Sequence, residues 1–214
     1  MALLWKVCGM REEDNILEVL ALQPDFMGFI FYPSSKRNVS GILSEDLLKK
    51  WSWPTRKVGV FVNENLDQVI GIVQKYELNL VQLHGEESPE FCKALSNNGI
   101  SVMKAFAVDE GFDFNSTSDY EGLCEYILFD TKAPGGYGGH GKAFDWALLK
   151  KYKGNTPFLI AGGVDEYNVR ELASYDLPLL AGIDVNSRFE NRPAFKIPER
   201  LATLKSKLQL FSSN

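Results

Sequence analysis

Histidine is nearly missing from this chain. Only His84 and His140 occur in 214 residues, and neither stands in a His-x-x-x-His or Cys/His cluster. No metal centre is therefore expected. Cysteine is also scarce: Cys8, Cys92 and Cys124 are an odd number with no Cys-x-x-Cys spacing. That excludes a secreted disulfide scaffold and fits a reducing, cytoplasmic setting. Basic residues are outnumbered, with 23 Lys and Arg against 28 Asp and Glu and a net charge of -5, so no nucleic-acid partner is expected. A small anionic ligand remains open, because a phosphate needs a few local donors and not a basic protein. No apolar run approaches the ~18 residues that span a bilayer. The opening Met1-Ala2-Leu3-Leu4-Trp5-Lys6 lacks the basic stretch of a signal peptide. Linkers, low-complexity tracts and charge runs are absent too, and residues 1–214 are expected to form one domain.

What the chain does have is alternation. Short β-branched or aromatic runs at 4–8, 26–31, 57–62, 80–83, 102–107, 126–130, 158–161 and 180–184 predict strands. Helical periodicity follows at 14–22, 44–51, 66–76, 89–96, 146–152, 168–175 and 198–208. The stretch 109–122 is polar and irregular, and a short helix is the most it supports. Strict βα alternation implies parallel strands joined by right-handed crossovers. An open doubly wound sheet satisfies the same alternation. Eight such units in 214 residues suit a closed (β/α)8 TIM barrel, the α/β fold expected here.

In parallel α/β folds the chemistry sits where strands end. The ends here hold a thiol (Cys8), a guanidinium just beyond (Arg37), two carboxylates (Asp130, Asp184) and a Gly162-Gly163 turn. Alternation of side chains puts Leu4, Lys6 and Cys8 on one face of the first strand, with Trp5 and Val7 on the other. In the sixth strand Leu128 and Asp130 share a face and Phe129 points the opposite way. The apolar outward set is what a helical layer requires. Taken singly, each residue has a plainer reading. Asp130 could cap the next helix, Arg37 could be a solvated loop charge, and Asp184 could orient its own loop. His84 beside Gly85 reads as structural, and Cys92 and Cys124 read as small hydrophobes.

Glycine marks two places. Gly136, Gly138 and Gly141 formally match Gly-x-Gly-x-x-Gly, but the motif should open a helix after the first strand of a βαβ unit. Here it lies late in the chain, and a flap over the barrel mouth is expected instead. Gly162-Gly163 directly follows a strand and precedes a helix, so backbone N–H groups there could approach an anion. Barrels often bind phosphate between the seventh and eighth loops, and Asn186 and Ser187 supply donors on the eighth.

Lys6-Val7-Cys8-Gly9 resembles the opening Lys-Ile-Cys-Gly of phosphoribosylanthranilate isomerases. Gly28-Phe29-Ile30-Phe31-Tyr32-Pro33 with Ser34-Ser35-Lys36-Arg37, Val60-Phe61-Val62-Asn63, Val81-Gln82-Leu83-His84-Gly85, Leu128-Phe129-Asp130, Phe144-Asp145-Trp146, Leu159-Ile160-Ala161-Gly162-Gly163 and Gly182-Ile183-Asp184-Val185 follow in that family's order. The resemblance covers essentially the whole chain. It implies a cofactor-independent Amadori rearrangement of N-(5-phosphoribosyl)anthranilate in tryptophan biosynthesis, with a small phosphorylated substrate and a monomeric or homodimeric enzyme. Carried over by position, Cys8 would be the general base and Asp130 the general acid. Arg37 would hold the anthranilate carboxylate, and Gly162, Gly163, Asp184, Asn186 and Ser187 would bind the rest of the substrate. The eighth loop departs from the family: Asn186-Ser187-Arg188-Phe189 stands where Ser-Ser-Gly-Val is common, while the acidic Glu190 remains.

The reaction needs two proton transfers. An acid protonates the ribose ring oxygen and opens the ring to an imine; a base then removes the C2 proton to give an enolamine. A free thiol of pKa ~8.5 is only about 3% thiolate at pH 7, so Lys6 is expected to draw Cys8 down. Burial in the mouth is expected to draw Asp130 up. An indole-glycerol-phosphate synthase would need a longer N-terminal extension and a lysine-based acid site. A ribulose-phosphate epimerase would need metal-ligand histidines, and an aminoimidazole-ribonucleotide isomerase would carry Asp in place of Cys8. From another class, an idle barrel could bind a phosphorylated ligand without turnover; retention of both Cys8 and Asp130 argues against it.

Overall fold

The computed structural model describes residues 3–132 and 144–209. Within them, β1 (Leu4–Cys8), β2 (Phe26–Ile30), β3 (Arg56–Phe61), β4 (Leu80–Leu83), β5 (Val102–Val108), β6 (Tyr126–Thr131), β7 (Phe158–Ile160) and β8 (Leu180–Val185) pair in sequence order. Every neighbouring pair is parallel, and β8 closes on β1 through Leu4 opposite Gly182 and Lys6 opposite Asp184. This is the closed α/β barrel, and the open doubly wound sheet is excluded. Glycine stretch 135–141, read as a flap, lies outside the described residues.

The strands are buried on both faces, as parallel strands under a helical layer must be, and the two faces pack into different cores. Inside the barrel, Phe26, Val58, Leu80, Met103, Leu128 and Leu159 stack with the partly buried Leu4. Outside, Trp5, Val7, Met27, Phe29, Val81, Phe129 and Ile183 meet the helices. Phe129 alone has rings of Phe106, Phe112, Phe114, Tyr152 and Phe158 within 6.4 Å of its centroid. Leu128 and Phe129 thus belong to separate cores, and this alternation aims Asp130 into the mouth.

The helices are α1 (Glu13–Leu20), α2 (Glu45–Lys49), α3 (Leu66–Tyr76), α4 (Pro89–Asn97) and α5 (Pro198–Gln209). Ser44 and Ser88 cap α2 and α4 by accepting from Leu47 N and Phe91 N, and Pro89 opens α4. The units after β5, β6 and β7 carry 3₁₀ helices at Phe114–Tyr120, Trp146–Lys151 and Val169–Ser174. The first has a visible cause. Ser116, Thr117 and Ser118 turn their hydroxyls back onto the carbonyls of Asp113, Phe114 and Asn115 at 2.7–2.8 Å, in competition with α-helical bonding. One element was not foreseen: after β8 a short antiparallel hairpin, β9 (Glu190–Arg192) and β10 (Phe195–Lys196), folds back before α5.

Candidate active site

The barrel mouth opens into a cavity of about 530 Å³. Every site residue expected from the sequence lines it: Cys8, Arg37, Asp130, Gly162, Gly163, Asp184, Asn186 and Ser187. Cys8 stands at the end of β1. A Cβ on Gly28 of the neighbouring β2 would lie 2.8 Å from the Cys8 sulfur, so glycine there leaves the thiol its room.

One layer below, Lys6 and Asp184 are cross-strand partners, and Lys6 Nζ donates to Asp184 Oδ2 at 2.9 Å. The charge on the ammonium is also felt by the nearby Cys8 thiol. Burial opposes the charge on Lys6, but Asp184 and Cys8 more than offset it, so Lys6 is held above its ordinary value. Asp184 is pushed up by burial against the pull of Lys6, with Asp130 adding to the rise. The close contact identifies the two as an ion pair. Asp184 Oδ1 is buried with no hydrogen-bond partner among the described residues and belongs to a residue that lines the cavity.

Lys6 acts on Cys8 in the expected sense, but it does not win. Burial pushes the thiol up, Lys6 pulls it down, Asp184 pushes it up again, and the net shift is upward. The expectation of a lowered thiol is therefore corrected: a fully buried thiolate loses more hydration than one already-paired ammonium returns.

Asp130 is fixed from two sides. Its Oδ1 accepts from the Thr131 backbone at 2.8 Å, and its Oδ2 lies 3.3 Å from His84 Nε2. His84 Nδ1 in turn is 2.7 Å from Gln82 Nε2. With the Gln82 amide donating, the imidazole proton sits on Nε2 and faces the carboxylate. His84 was read as structural; it is instead in the mouth, touching the candidate acid. The signal lay in the period-two alternation, which puts Gln82 and His84 on the same face as the other inward groups.

Arg37 comes from the loop after β2. Its Nε donates to Glu190 Oε1 and Oε2 at 2.9 and 3.1 Å, and its Nη2 donates to Oε2 at 2.7 Å. Glu190 also accepts from Lys196 Nζ at 2.5 Å and from Ala194 N at 3.2 Å. Burial works against the Glu190 carboxylate, yet Arg37 and Lys196 outweigh it and hold it low. The Asn186 carboxamide oxygen is taken up by Lys196 at 2.8 Å. Gly162 and Gly163 both adopt φ of +74°, and Gly163 O accepts from Asn168 Nδ2. Arg188, at the position where the resembled family has glycine, pairs with Asp165 of the seventh loop. Glu190 and Lys196 were not among the expected site residues.

Comparison with known proteins bears on the family and the fold. The profile of the N-(5'phosphoribosyl)anthranilate (PRA) isomerase family matches residues 5–202. A relative from Parabacteroides distasonis, named N-(5'-phosphoribosyl)anthranilate isomerase, is 46% identical over 197 residues, 92% of this chain and 89% of its own. One of the same name from Phocaeicola vulgatus is 43% identical over 208 residues, 95% of this chain and 98% of its own. Among solved structures, phosphoribosyl anthranilate isomerase from Thermotoga maritima superposes with a TM-score of 0.83 at 31% identity, covering 97% of this chain and 98% of that one. A phosphoribosyl anthranilate isomerase in complex with reduced 1-(o-carboxyphenylamino)-1-deoxyribulose 5-phosphate gives 0.80 at 28%, with the same coverage.

Proposed function

The chain belongs to the N-(5'-phosphoribosyl)anthranilate isomerase family, and from that premise we propose how its side chains divide the work. The reaction is the Amadori rearrangement of N-(5-phosphoribosyl)anthranilate to 1-(2-carboxyphenylamino)-1-deoxyribulose 5-phosphate, a step of tryptophan biosynthesis. In our reading Asp130 delivers a proton to the ribose ring oxygen. The ring opens, and the anilino nitrogen carries the resulting cation as an imine. Cys8 then takes the C2 proton, and the electron pair left behind quenches the imine to an enolamine that tautomerises to the ketone.

The observation that carries this assignment is the shared cavity: a sulfur from β1 and a carboxylate from β6 line the same mouth as Arg37 and Gly162-Gly163. His84 orients Asp130 through Oδ2. Arg37 seats the anthranilate carboxylate. The seventh and eighth loops, with Gly162, Gly163, Asn186 and Ser187, receive the phosphate, and Asp184 Oδ1, without a partner among the described residues, accepts from a sugar hydroxyl. The whole chain, 1–214, acts as one catalytic domain in the cytoplasm, as a monomer or a homodimer. Dimeric phosphoribosylanthranilate isomerase and monomers generated from it are known from Thermotoga maritima.

The test is direct. Purified chain should consume N-(5-phosphoribosyl)anthranilate with loss of its fluorescence, and the gene should restore growth without tryptophan to a strain lacking the isomerase. Absence of turnover by the folded protein would refute the assignment of these roles.

A further inference from the structure

Lys196 is fully buried, at 0% exposure, yet it bears a charge-carrying group. Such burial is rare for lysine unless it is paired. Its backbone is clasped on both sides by the buried Asn15 carboxamide: Lys196 N donates to Asn15 Oδ1 at 2.7 Å, and Asn15 Nδ2 donates to Lys196 O at 2.9 Å. Its ammonium reaches Glu190 Oε1 at 2.5 Å and Asn186 Oδ1 at 2.8 Å. On the other side of Glu190 sits Arg37, bound through Nε and Nη2. Arg37 and Asn186 are themselves neighbours over Gly9, where an added Cβ would meet Arg37 Cδ at 2.6 Å and Asn186 Oδ1 at 2.8 Å.

The charge count of this cluster is informative. Arg37 paired with Glu190 alone is neutral, and an incoming carboxylate would meet a guanidinium already answered by an anion. Adding Lys196 restores one net positive charge. We propose that Lys196 is a positioning residue for carboxylate recognition: by answering Glu190, it lets Glu190 hold Arg37 in place without cancelling the positive charge that the substrate carboxylate meets. Through Asn186 the same ammonium ties this end of the site to the eighth loop. The proposal rests on Arg37 being the carboxylate seat.

The test compares N-(5-phosphoribosyl)anthranilate with N-(5-phosphoribosyl)aniline, which lacks only the carboxylate. Arg37→Ala should erase the difference in KM between the two. Lys196→Met should raise the anthranilate KM about tenfold more than the aniline KM, the effect of one unit charge about 12 Å away, beyond Glu190 and Arg37, at an effective dielectric near ~20. Adding Glu190→Gln to Lys196→Met returns the net charge to one positive and should recover most of that difference. Turnover of the aniline by each variant shows that its site has folded. If Lys196→Met changes both KM values alike, or the double variant is no better than the single one, the proposal is overturned while Arg37 keeps its role. If Arg37→Ala leaves the preference intact, the carboxylate seat itself is wrong, and the inference falls with it.

Discussion

Gly162 and Asp130 are fitted to one another. A Cβ at 162 would stand 2.6 Å from Asp130 Oδ1 and 2.3 Å from Thr131 Oγ1, and the backbone there has φ of +74°. The glycine that opens the seventh loop is also the wall against which the candidate acid rests. Gly162→Ala must therefore displace the Asp130 carboxylate or strain the loop. We expect kcat to fall by about 10²-fold, the scale of a 1 Å misplacement, with a stability loss of about 1–2 kcal/mol for the left-handed backbone. Steady-state kinetics and thermal melts check both, and a wild-type kcat would show that Asp130 needs no fixed position.

Cys8→Ala and Asp130→Asn should each lower turnover by about 10²–10⁴-fold, the usual worth of a general base or acid. Both changes are small in volume, so cooperative melting should persist. Near-normal isomerisation by either variant would strip that residue of its role.

The base should also be visible in a pH titration. Burial, partly opposed by Lys6, holds the Cys8 thiol above its ordinary value. Turnover also needs Asp130 protonated, so the thiol is read directly, from the thiolate ultraviolet absorbance that Cys8→Ala removes. That absorbance should keep rising beyond about pH 8.5, the midpoint of a free thiol. Lys6→Met should move the rise higher still. It also strips buried Asp184 of its partner, a loss of roughly 3–5 kcal/mol for a broken buried pair. Adding Asp184→Asn should return part of that stability, and an unchanged profile in Lys6→Met would separate Lys6 from the thiol.

The barrel was legible because each strand is a short, doubly buried run. The β1, β4 and α3 boundaries match the expected 4–8, 80–83 and 66–76. Cys8 and Asp130 could be placed because period-two alternation, checked against apolar Val7 and Phe129, decides which face a strand residue takes. The helical type after β5 to β7 was not legible: hydrophobic spacing over six or seven residues does not separate an α from a 3₁₀ turn. Nor was the Glu190–Lys196 hairpin. Asn191-Arg192-Pro193 reads as a polar loop, and a lysine reads as solvated. What buries Lys196 is the combination of Glu190, Asn186 and the distant Asn15, a three-body arrangement invisible in one dimension. His84 was within reach of the same face argument that found Asp130, but its neighbour Gly85 drew the reading toward structure.

Lys196 offers a second pH test, distinct from that of Cys8. Burial pulls its ammonium down to about 8, against the upward pull of Glu190. The groups facing it are Glu190, Arg37, Cys8 and Asn186. Below about pH 8 the lysine is charged and the cluster keeps its net positive charge. As pH rises through that value the proton leaves, and the cluster of Arg37 and Glu190 becomes neutral. The anthranilate substrate should then lose kcat/KM while the aniline does not. Ionisation of Cys8 acts on both substrates alike, so it cancels in their ratio. That ratio should fall by about tenfold between about pH 6.5 and about pH 9.5, and in Lys196→Met it should be low and flat throughout. A ratio constant with pH in the wild-type chain would mean that the charge on Lys196 has no part in choosing the carboxylate.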